Sequence, residues 1–261
     1  GVVEFLRCSG AWARGGLWSG RYRFRTGCRP RRPKGGDSHH RHRPAVRLRR
    51  RHADTGGALA GTAYHAGLCP GGQGSRLGYE GPKGCYPTSC VTEKPLFQLF
   101  AEAIRANEVK HGCTIPWYIM TSPINDADTR AFFEKHSYFG LKKENIMIFP
   151  QAMMPALDMD TGKVLLADKD AIALSPNGHG GSLKALFTSG AIADMHQRGV
   201  TQISYTQVDN PIVRMIDPLF LGLHELDNAG MSSKMLPKAY PKEKLGNFCK
   251  VHGKVTVIEY S

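Results

Sequence analysis

Two glycine-rich turns lie close together in the chain: Gly71-Gly72-Gln73-Gly74-Ser75-Arg76-Leu77-Gly78, and then Gly81-Pro82-Lys83-Gly84. Glycine lets backbone N–H groups approach a polyphosphate with no Cβ in the way. Arg76 and Lys83 add positive charge where the phosphates of a nucleotide would lie. The spacing is neither the dinucleotide fingerprint GxGxxG nor the P-loop pattern GxxxxGK[ST]. A single glycine-rich loop is more often a plain turn than a phosphate site. The pairing of GGxGxRLG with PKG is far more restrictive. The sequence shows no HExxH, no nucleophile elbow and no paired catalytic carboxylates, which suits a reaction run by positioning and cations rather than by acid–base groups.

The elements that must hold these turns follow from periodicity. Leu96, Phe97, Phe100, Ala103 and Ile104 recur at helical spacing, with Pro95 in the first turn. IPWYIMTS (115–122) is a strand by its β-branched and aromatic content. Residues 125–136 form a helix with acids early and Lys135 late, matching the helix dipole. IMIFPQ (146–151) and VLLAD (164–168) are strands, residues 181–198 are helical, and VTQISYTQVDN (200–210) is a strand that ends in polar residues. DPLFLGLHEL (217–226) is a helix, and VTVIEYS (255–261) returns to strand alternation. This alternation predicts an α/β fold, an open, mainly parallel (mixed) sheet flanked by helices. Ligands of such sheets sit beyond the carboxyl ends of the strands. The loops after IPWYIM, IMIF and ISYTQV therefore share one rim with the glycine-rich loop. YHAGLCP (64–70), where a strand should precede that loop, is weakly hydrophobic and makes a poor strand.

The net charge of +13 is not spread evenly. Residues 1–65 hold fourteen Arg and one Lys against Glu4, Asp37 and Asp54, whereas the remainder holds twenty basic and nineteen acidic residues. The chain divides into a basic low-complexity segment, 1–65, expected to be disordered or foreign to the fold, and a balanced body, 66–261. An RNA-binding tail is the functional alternative for the first segment, with Tyr22 and Phe24 available to stack on bases; nucleic acid is not the expected partner. The odd set of seven cysteines contains no CxxC pair. Cys85, Cys90, His111 and Cys113 fit no standard zinc spacing, so reduced and mostly buried thiols in a cytoplasmic protein are expected. No apolar run approaches the roughly 20 residues that span a bilayer. The first residue is Gly and the last lie inside an alternating apolar run, so both ends read as cuts.

The string GGQGSRLG…PKG resembles the signature GGQGTRLG…PKG of UDP-sugar pyrophosphorylases. IPWYIMTS, FFEKHSYFGLKKENI, FPQAMMPA, SPNGHGG, the VDN triplet and IEYS follow in the same order. Over residues 66–261 the chain is similar to the eukaryotic-type UDP-N-acetylglucosamine pyrophosphorylases and their bacterial relatives. The resemblance implies an incomplete nucleotide-diphospho-sugar transferase (GT-A-like, Rossmannoid) catalytic domain. It implies in-line attack of N-acetylglucosamine-1-phosphate, or a related sugar-1-phosphate, on the α-phosphorus of UTP, giving a UDP-sugar and pyrophosphate with the help of Mg²⁺.

The resemblance also assigns residues. Cys69, Pro70, Gly71 and Gly72 fall at the uridine end of UTP, and Arg76 and Lys83 at the phosphates as the catalytic pair. Gln151 matches a glutamine that reads the uracil edge, and Gly178 a glycine packed against the same nucleotide. Asp209 ends a strand at the rim, placed to hold Mg²⁺ or UTP. His179, Glu259 and Tyr260 match sugar-contacting positions. Cys69-Pro70 stands where the family has Leu-Ala, and proline removes a backbone donor from a loop built of donors. His179 stands where the N-acetylglucosamine enzymes carry Asn, which leaves a UDP-glucose or broad-specificity UDP-sugar pyrophosphorylase as the alternative. Residues 1–65 do not resemble the family's start, which points to a frame or assembly error upstream of about residue 68. The family runs to about twice this length, so the 261 residues alone are expected to turn over weakly or not at all. A non-catalytic UTP-binding remnant is the corresponding reading from another class.

Overall fold

A computed structural model describes residues 4–7, 65–70, 72–208, 210–240, 242–243 and 246–258; of 4–7, 65, 66, 68–70, 76 and 254 it describes the backbone alone. In chain order the strands and helices of the first half are β1 (Glu4–Arg7), β2 (His65–Pro70), α1 (Leu96–His111), β3 (Trp117–Thr121), α2 (Asp126–Lys135) and β4 (Ile146–Pro150). Four short strands follow: β5 (Met153–Pro155), β6 (Leu166–Asp168), β7 (Ala171–Ile172) and β8 (Leu174–Pro176). The remainder comprises α3 (Ser182–Thr188), α4 (Ala191–Gln197), β9 (Gln202–Tyr205), α5 (Pro218–Leu226), β10 (Met231–Ser233), β11 (Asn247–Val251) and β12 (Lys254–Ile258).

The main sheet has the order β10-β1-β9-β2-β3-β4. Strands β9, β2, β3 and β4 run parallel, and β1 is antiparallel to both β9 and β10. This is the open, mainly parallel, mixed sheet that the strand–helix alternation predicts. From β2 the chain adds β3 and β4 on one side and later returns to lay β9 on the other. The order reverses between β2 and β9, and such a switch point opens a crevice at the carboxyl ends of the strands.

Alternation along β3 explains why helices cover both faces. Trp117 and Ile119 point into one core with Phe97, Phe100 and Ile104 of α1, Phe133 of α2 and Leu221 of α5. Tyr118 and Met120 point into the other, with Leu186 of α3, Ile192 and Met195 of α4, and Ile203 and Tyr205 of β9. Every residue of β3 is buried, as expected of a strand packed on both sides. Phe97, Trp117 and Phe133 meet with ring centroids 5.0–6.1 Å apart, a spacing that favours tilted and edge-on aromatic pairs. Helix α1 ends as its composition requires, with Gly112 left-handed at φ 63° and its N–H donated to the Glu108 carbonyl.

Four expectations from the sequence change. YHAGLCP does contain a strand, β2, in the middle of the sheet. Its small residues are needed there: a Cβ on Gly67 would come within 2.9 Å of Met215 Sδ and 3.4 Å of Trp117 Cδ1. Residues 181–198 are two helices, because Gly190 turns left-handed at φ 82° between them. In the VLLAD segment Leu166–Asp168 pair with β7 in a separate two-stranded ribbon, and Val164 makes an isolated antiparallel bridge to Leu157. The segment does not join the main sheet, and Leu166 is exposed. Finally, Glu4–Arg7 lie inside the segment expected to be foreign to the fold, yet they form β1; the apolar GVVEFL stretch supplies strand-forming residues among the basic ones. Residues 8–64 lie outside the described part of the chain.

Candidate functional site

The two glycine-rich turns are stitched to each other. The Lys83 N–H donates to the Gly72 carbonyl at 2.7 Å, and the Gly74 N–H to the Gly81 carbonyl at 2.8 Å, with Gln73 and Pro82 bridged antiparallel between them. Two of the glycines have a packing reason. A Cβ on Gly74 would press to 2.9–3.0 Å of the Tyr79 side chain and its carbonyl oxygen. Gly84 lies against the ring of Phe97, the first core aromatic of α1. The pair of turns is therefore one rigid unit fixed to the helix that follows it, and Lys83 rides on the 3₁₀ turn Lys83–Cys85 at its edge.

A cleft of about 330 Å³ opens at the carboxyl ends of β2, β3, β4 and β9, at the low end of the roughly 300–1,000 Å³ usual for small-molecule sites. Gly72, Gln73 and Lys83 form one wall. Ser122 and Ile124 follow β3, Gln151 follows β4, and Gln207 and Val208 follow β9. Pro176, Gly178 and His179 form a further part of the lining. They reach the site because β5 and β8 pair antiparallel and the Asn177 N–H donates to the Ala152 carbonyl at 3.1 Å, which returns the chain beside Gln151.

Three wall residues carry distinct physics. Gln151 is 5% exposed and its Oε1 is buried with no hydrogen-bond partner, while its N–H donates to the Thr121 carbonyl at 2.9 Å and ties the ends of β3 and β4. A buried acceptor left unmatched costs about 1–3 kcal/mol; at a cleft, that acceptor suits a ligand donor. Gly178 sits at φ 72°, ψ −154°, a region that is essentially glycine-only. No atom lies within 4 Å of where its Cβ would be, so conformation and open approach, not packing, demand glycine. His179 Nδ1 lies 2.5 Å from the Tyr205 hydroxyl.

The cleft gathers Gly72, Lys83, Gln151, Gly178 and His179, five residues singled out from the sequence. Cys69 and Pro70 close β2 at the same rim, with Pro70 in register with Met120. Pairing of β2 with β9 stops at Leu68, so the proline stands clear of that ladder. Arg76 lies on the 3₁₀ turn Ser75–Leu77 of the same loop; its side chain is outside the described part. Gly71, Asp209, Glu259 and Tyr260 lie outside the described residues. Met120, Ser122, Ile124, Gln207 and Val208 were not named from sequence, although strand-end topology points to their loops. The Ser122 turn is built by Asn125, whose Oδ1 accepts from the Ser122 N–H at 2.8 Å and the Ser122 hydroxyl at 3.1 Å.

Among the described residues no group of three or more His, Cys, Asp or Glu is placed to hold a metal ion, and the described cleft lining includes no carboxylate. The described cysteines Cys85, Cys90, Cys113 and Cys249 are free, but only Cys85 among them is buried; the expectation of mostly buried thiols does not hold for this set. Burial, with a smaller contribution from Asp128, pushes the Cys85 thiol up to about 12. No helix among the described residues is long and apolar enough to cross a membrane.

Fold and cleft together define a doubly wound α/β domain with a cleft walled in part by glycine turns at the switch point, the place where nucleotide-handling enzymes of this architecture bind their ligands. The chain belongs to the UTP–glucose-1-phosphate uridylyltransferase family, whose sequence profile matches residues 68–261. It is 43% identical over 200 residues to human UDP-N-acetylhexosamine pyrophosphorylase-like protein 1, covering 74% of this chain and 39% of that protein. It is 41% identical over 206 residues to UDP-N-acetylglucosamine diphosphorylase 1 of Arabidopsis thaliana, covering 74% and 41%. The crystal structure of the uridine diphosphate N-acetylglucosamine pyrophosphorylase of Trypanosoma brucei in complex with inhibitor matches with a TM-score of 0.71 at 28% identity, over 83% of this chain and 45% of that one. The chain thus spans about two fifths of the length of the curated relatives it matches.

Proposed function

We propose that this chain is part of the catalytic domain of a uridylyltransferase that makes a UDP-sugar from UTP and N-acetylglucosamine-1-phosphate. The observation that carries the reading is the meeting, in one switch-point cleft, of the Lys83 turn with the buried, unmatched Oε1 of Gln151. Uracil offers an N–H donor flanked by carbonyl acceptors, which complements a glutamine amide. Lys83 would meet the phosphates, with Arg76 on the adjoining turn as its catalytic partner. A phosphate oxygen of the sugar phosphate would attack the α-phosphorus as the bond to the bridging oxygen of the β-phosphate breaks, and pyrophosphate leaves. Charge spreads over the phosphoryl oxygens in that step, so fixed cations and donors do most of the work.

Gly178 would let the nucleotide approach the backbone closely. His179, with Glu259 and Tyr260, would contact the sugar. Mg²⁺ fits as an ion carried mainly on the substrate phosphates, the usual habit of that cation, with Asp209, next to Val208, as its protein ligand; bound there it would neutralise the triphosphate. The free thiols among the described cysteines support a cytoplasmic enzyme.

Titration of UTP with Mg²⁺ into the protein tests this reading. Lys83→Ala should weaken binding by about tenfold or more, as for a charge-assisted contact, and unchanged affinity in that variant would count decisively against it. The His179 departure favours keeping one second reading, a broader or glucose-preferring enzyme. Comparing N-acetylglucosamine-1-phosphate with glucose-1-phosphate in the longest native form of the protein separates the two.

A further inference from the structure

Six of the fourteen residues from 71 to 84 are glycine, and Tyr79 is the one aromatic among them. Glycine gives a loop conformational freedom and so raises the entropy cost of holding it in one shape. Something must fix the two turns if Lys83 is to keep its place on the cleft wall. The Tyr79 side chain touches both. A Cβ on Gly74, in the first turn, would fall 2.9 Å from its Cδ1 and 3.0 Å from its Cβ. A Cβ on Gly81, in the second, would fall 3.2 Å from Cε1 and 3.7 Å from Cζ of the same ring. Both glycines thus make room for one tyrosine side chain.

The ring also reaches the far side of the Lys83 turn. Tyr86 follows the 3₁₀ turn Lys83–Cys85, donates its N–H to the Lys83 carbonyl at 3.1 Å, and meets Tyr79 edge-on with ring centroids 5.5 Å apart. Tyr79 is half-buried and packs against the first core, the one that holds Phe97 and Cys85. Burial, with a smaller contribution from Cys85, raises the pKa of its phenol, so the ring is an uncharged body at neutral pH. Main-chain bonds run alongside. The Tyr79 N–H donates to the Gly74 carbonyl at 3.3 Å, and the Gly74–Gly81 and Lys83–Gly72 bonds close the pair of turns. Those bonds need no particular side chain to form. The ring adds the contact that holds them closed.

We infer that Tyr79 is a positioning residue: its ring, wedged between the two glycine turns and Tyr86, holds them together and so keeps Lys83 in place for the phosphates of the bound nucleotide. The inference rests on the uridylyltransferase reading for the identity of the ligand, and on packing alone for the part Tyr79 plays. A contact of this kind acts before the ligand arrives. A loop already ordered loses less freedom on binding, and the difference appears as affinity. Tyr79 acts through Lys83 rather than on the ligand.

Tyr79→Ala and Tyr79→Phe, made in the longest native form of the protein, separate the ring from its hydroxyl. The N–H groups of Lys83 and Gly74 close the turns. Their amide exchange should quicken by about tenfold in Tyr79→Ala, beyond any change in strand β3, and return to the wild-type rate in Tyr79→Phe. UTP affinity should fall by about tenfold in Tyr79→Ala and recover in Tyr79→Phe. In a Lys83→Ala background, Tyr79→Ala should take nothing further from UTP affinity. Tyr79→Leu gives the same readings if Tyr79→Ala does not fold, since it keeps an apolar contact with the core but no flat ring between the glycines. Unchanged exchange at Lys83 and Gly74, a Phe variant as impaired as Ala, or a full further loss of UTP affinity beside Lys83→Ala would each overturn the inference. A wild-type protein that binds no UTP would count against the uridylyltransferase reading instead, and the exchange rates would still decide the part played by Tyr79.

Discussion

Gly84 lies flat against the ring of Phe97, so closely that a Cβ on Gly84 would fall 2.2 Å from both Cε2 and Cζ of that ring. Phe97 is 1% exposed and wedged among Trp117 and Phe133, so it has nowhere to go. Gly84→Ala should therefore destabilise the protein by roughly 1–3 kcal/mol, the usual range for overpacking a core. Because Lys83 precedes Gly84 in the same turn, UTP affinity should fall as well. Urea unfolding read beside UTP titration checks both, and an unshifted midpoint would refute the packing argument.

Gln151 behaves in the opposite way. Its Oε1 is buried without a partner, so the side chain does not contribute its full hydrogen-bonding capacity to folding. Gln151→Leu removes that unmatched acceptor and is expected to leave stability unchanged or to raise it, by up to about 1–3 kcal/mol. It should weaken UTP binding by about tenfold or more and erase preference for UTP over CTP, since the amide would no longer match the base edge. Equal discrimination in wild type and variant would remove Gln151 from base recognition.

Cys85 and Cys90 should differ sharply in reactivity. The Cys85 thiol is buried and pushed up to about 12, so near pH 8 it stays protonated and inert until the fold opens. Cys90 is exposed and should be alkylated quickly. The sign of the pH effect follows from the raised value. Burial of the neutral thiol stabilises the fold fully below the unfolded pKa of about 8.5, and that contribution is lost as pH rises toward about 12. Stability at pH 10 relative to pH 8 should therefore drop more in the wild-type protein than in Cys85→Ala. Peptide mapping after brief alkylation and paired unfolding curves at the two pH values supply the measurements.

Long periodic segments were legible because packing and propensity agree in them. The stripe of Leu96, Phe97, Phe100 and Ile104 is the buried face of α1, and the acids and lysine of α2 fall at the ends that suit its dipole. Strand β2 was not legible, because Gly67 is set by its neighbours Met215 and Trp117 rather than by any strand propensity. The break between α3 and α4 depends on one backbone angle at Gly190. In the site, the glycine turns, Lys83, Gln151, Gly178 and His179 were readable as motifs. Ser122 and Val208 needed the strand order, and Tyr205 needed the fold itself, since nothing in a string shows that residues 179 and 205 touch.

Asn125 gives a prediction about how the cleft wall is held. The residue is 1% exposed, and its Oδ1 accepts both the N–H and the hydroxyl of Ser122, while the Asn125 carbonyl accepts from the Thr129 hydroxyl at 2.7 Å. This knot shapes the turn from β3 into α2, and it presents Ser122 and Ile124 to the cleft. Asn125→Ala leaves the Ser122 N–H buried without its partner and should cost about 1–3 kcal/mol. Asn125→Asp keeps the acceptor and should recover most of that stability above the carboxylate's titration range, then lose it as the pH falls and the side chain is protonated. Thermal unfolding of both variants at pH 7.5 and pH 4 checks this, with UTP affinity followed in parallel. If Asn125→Ala unfolds like the wild type yet still loses UTP, the side chain acts on the ligand itself rather than through the Ser122 turn.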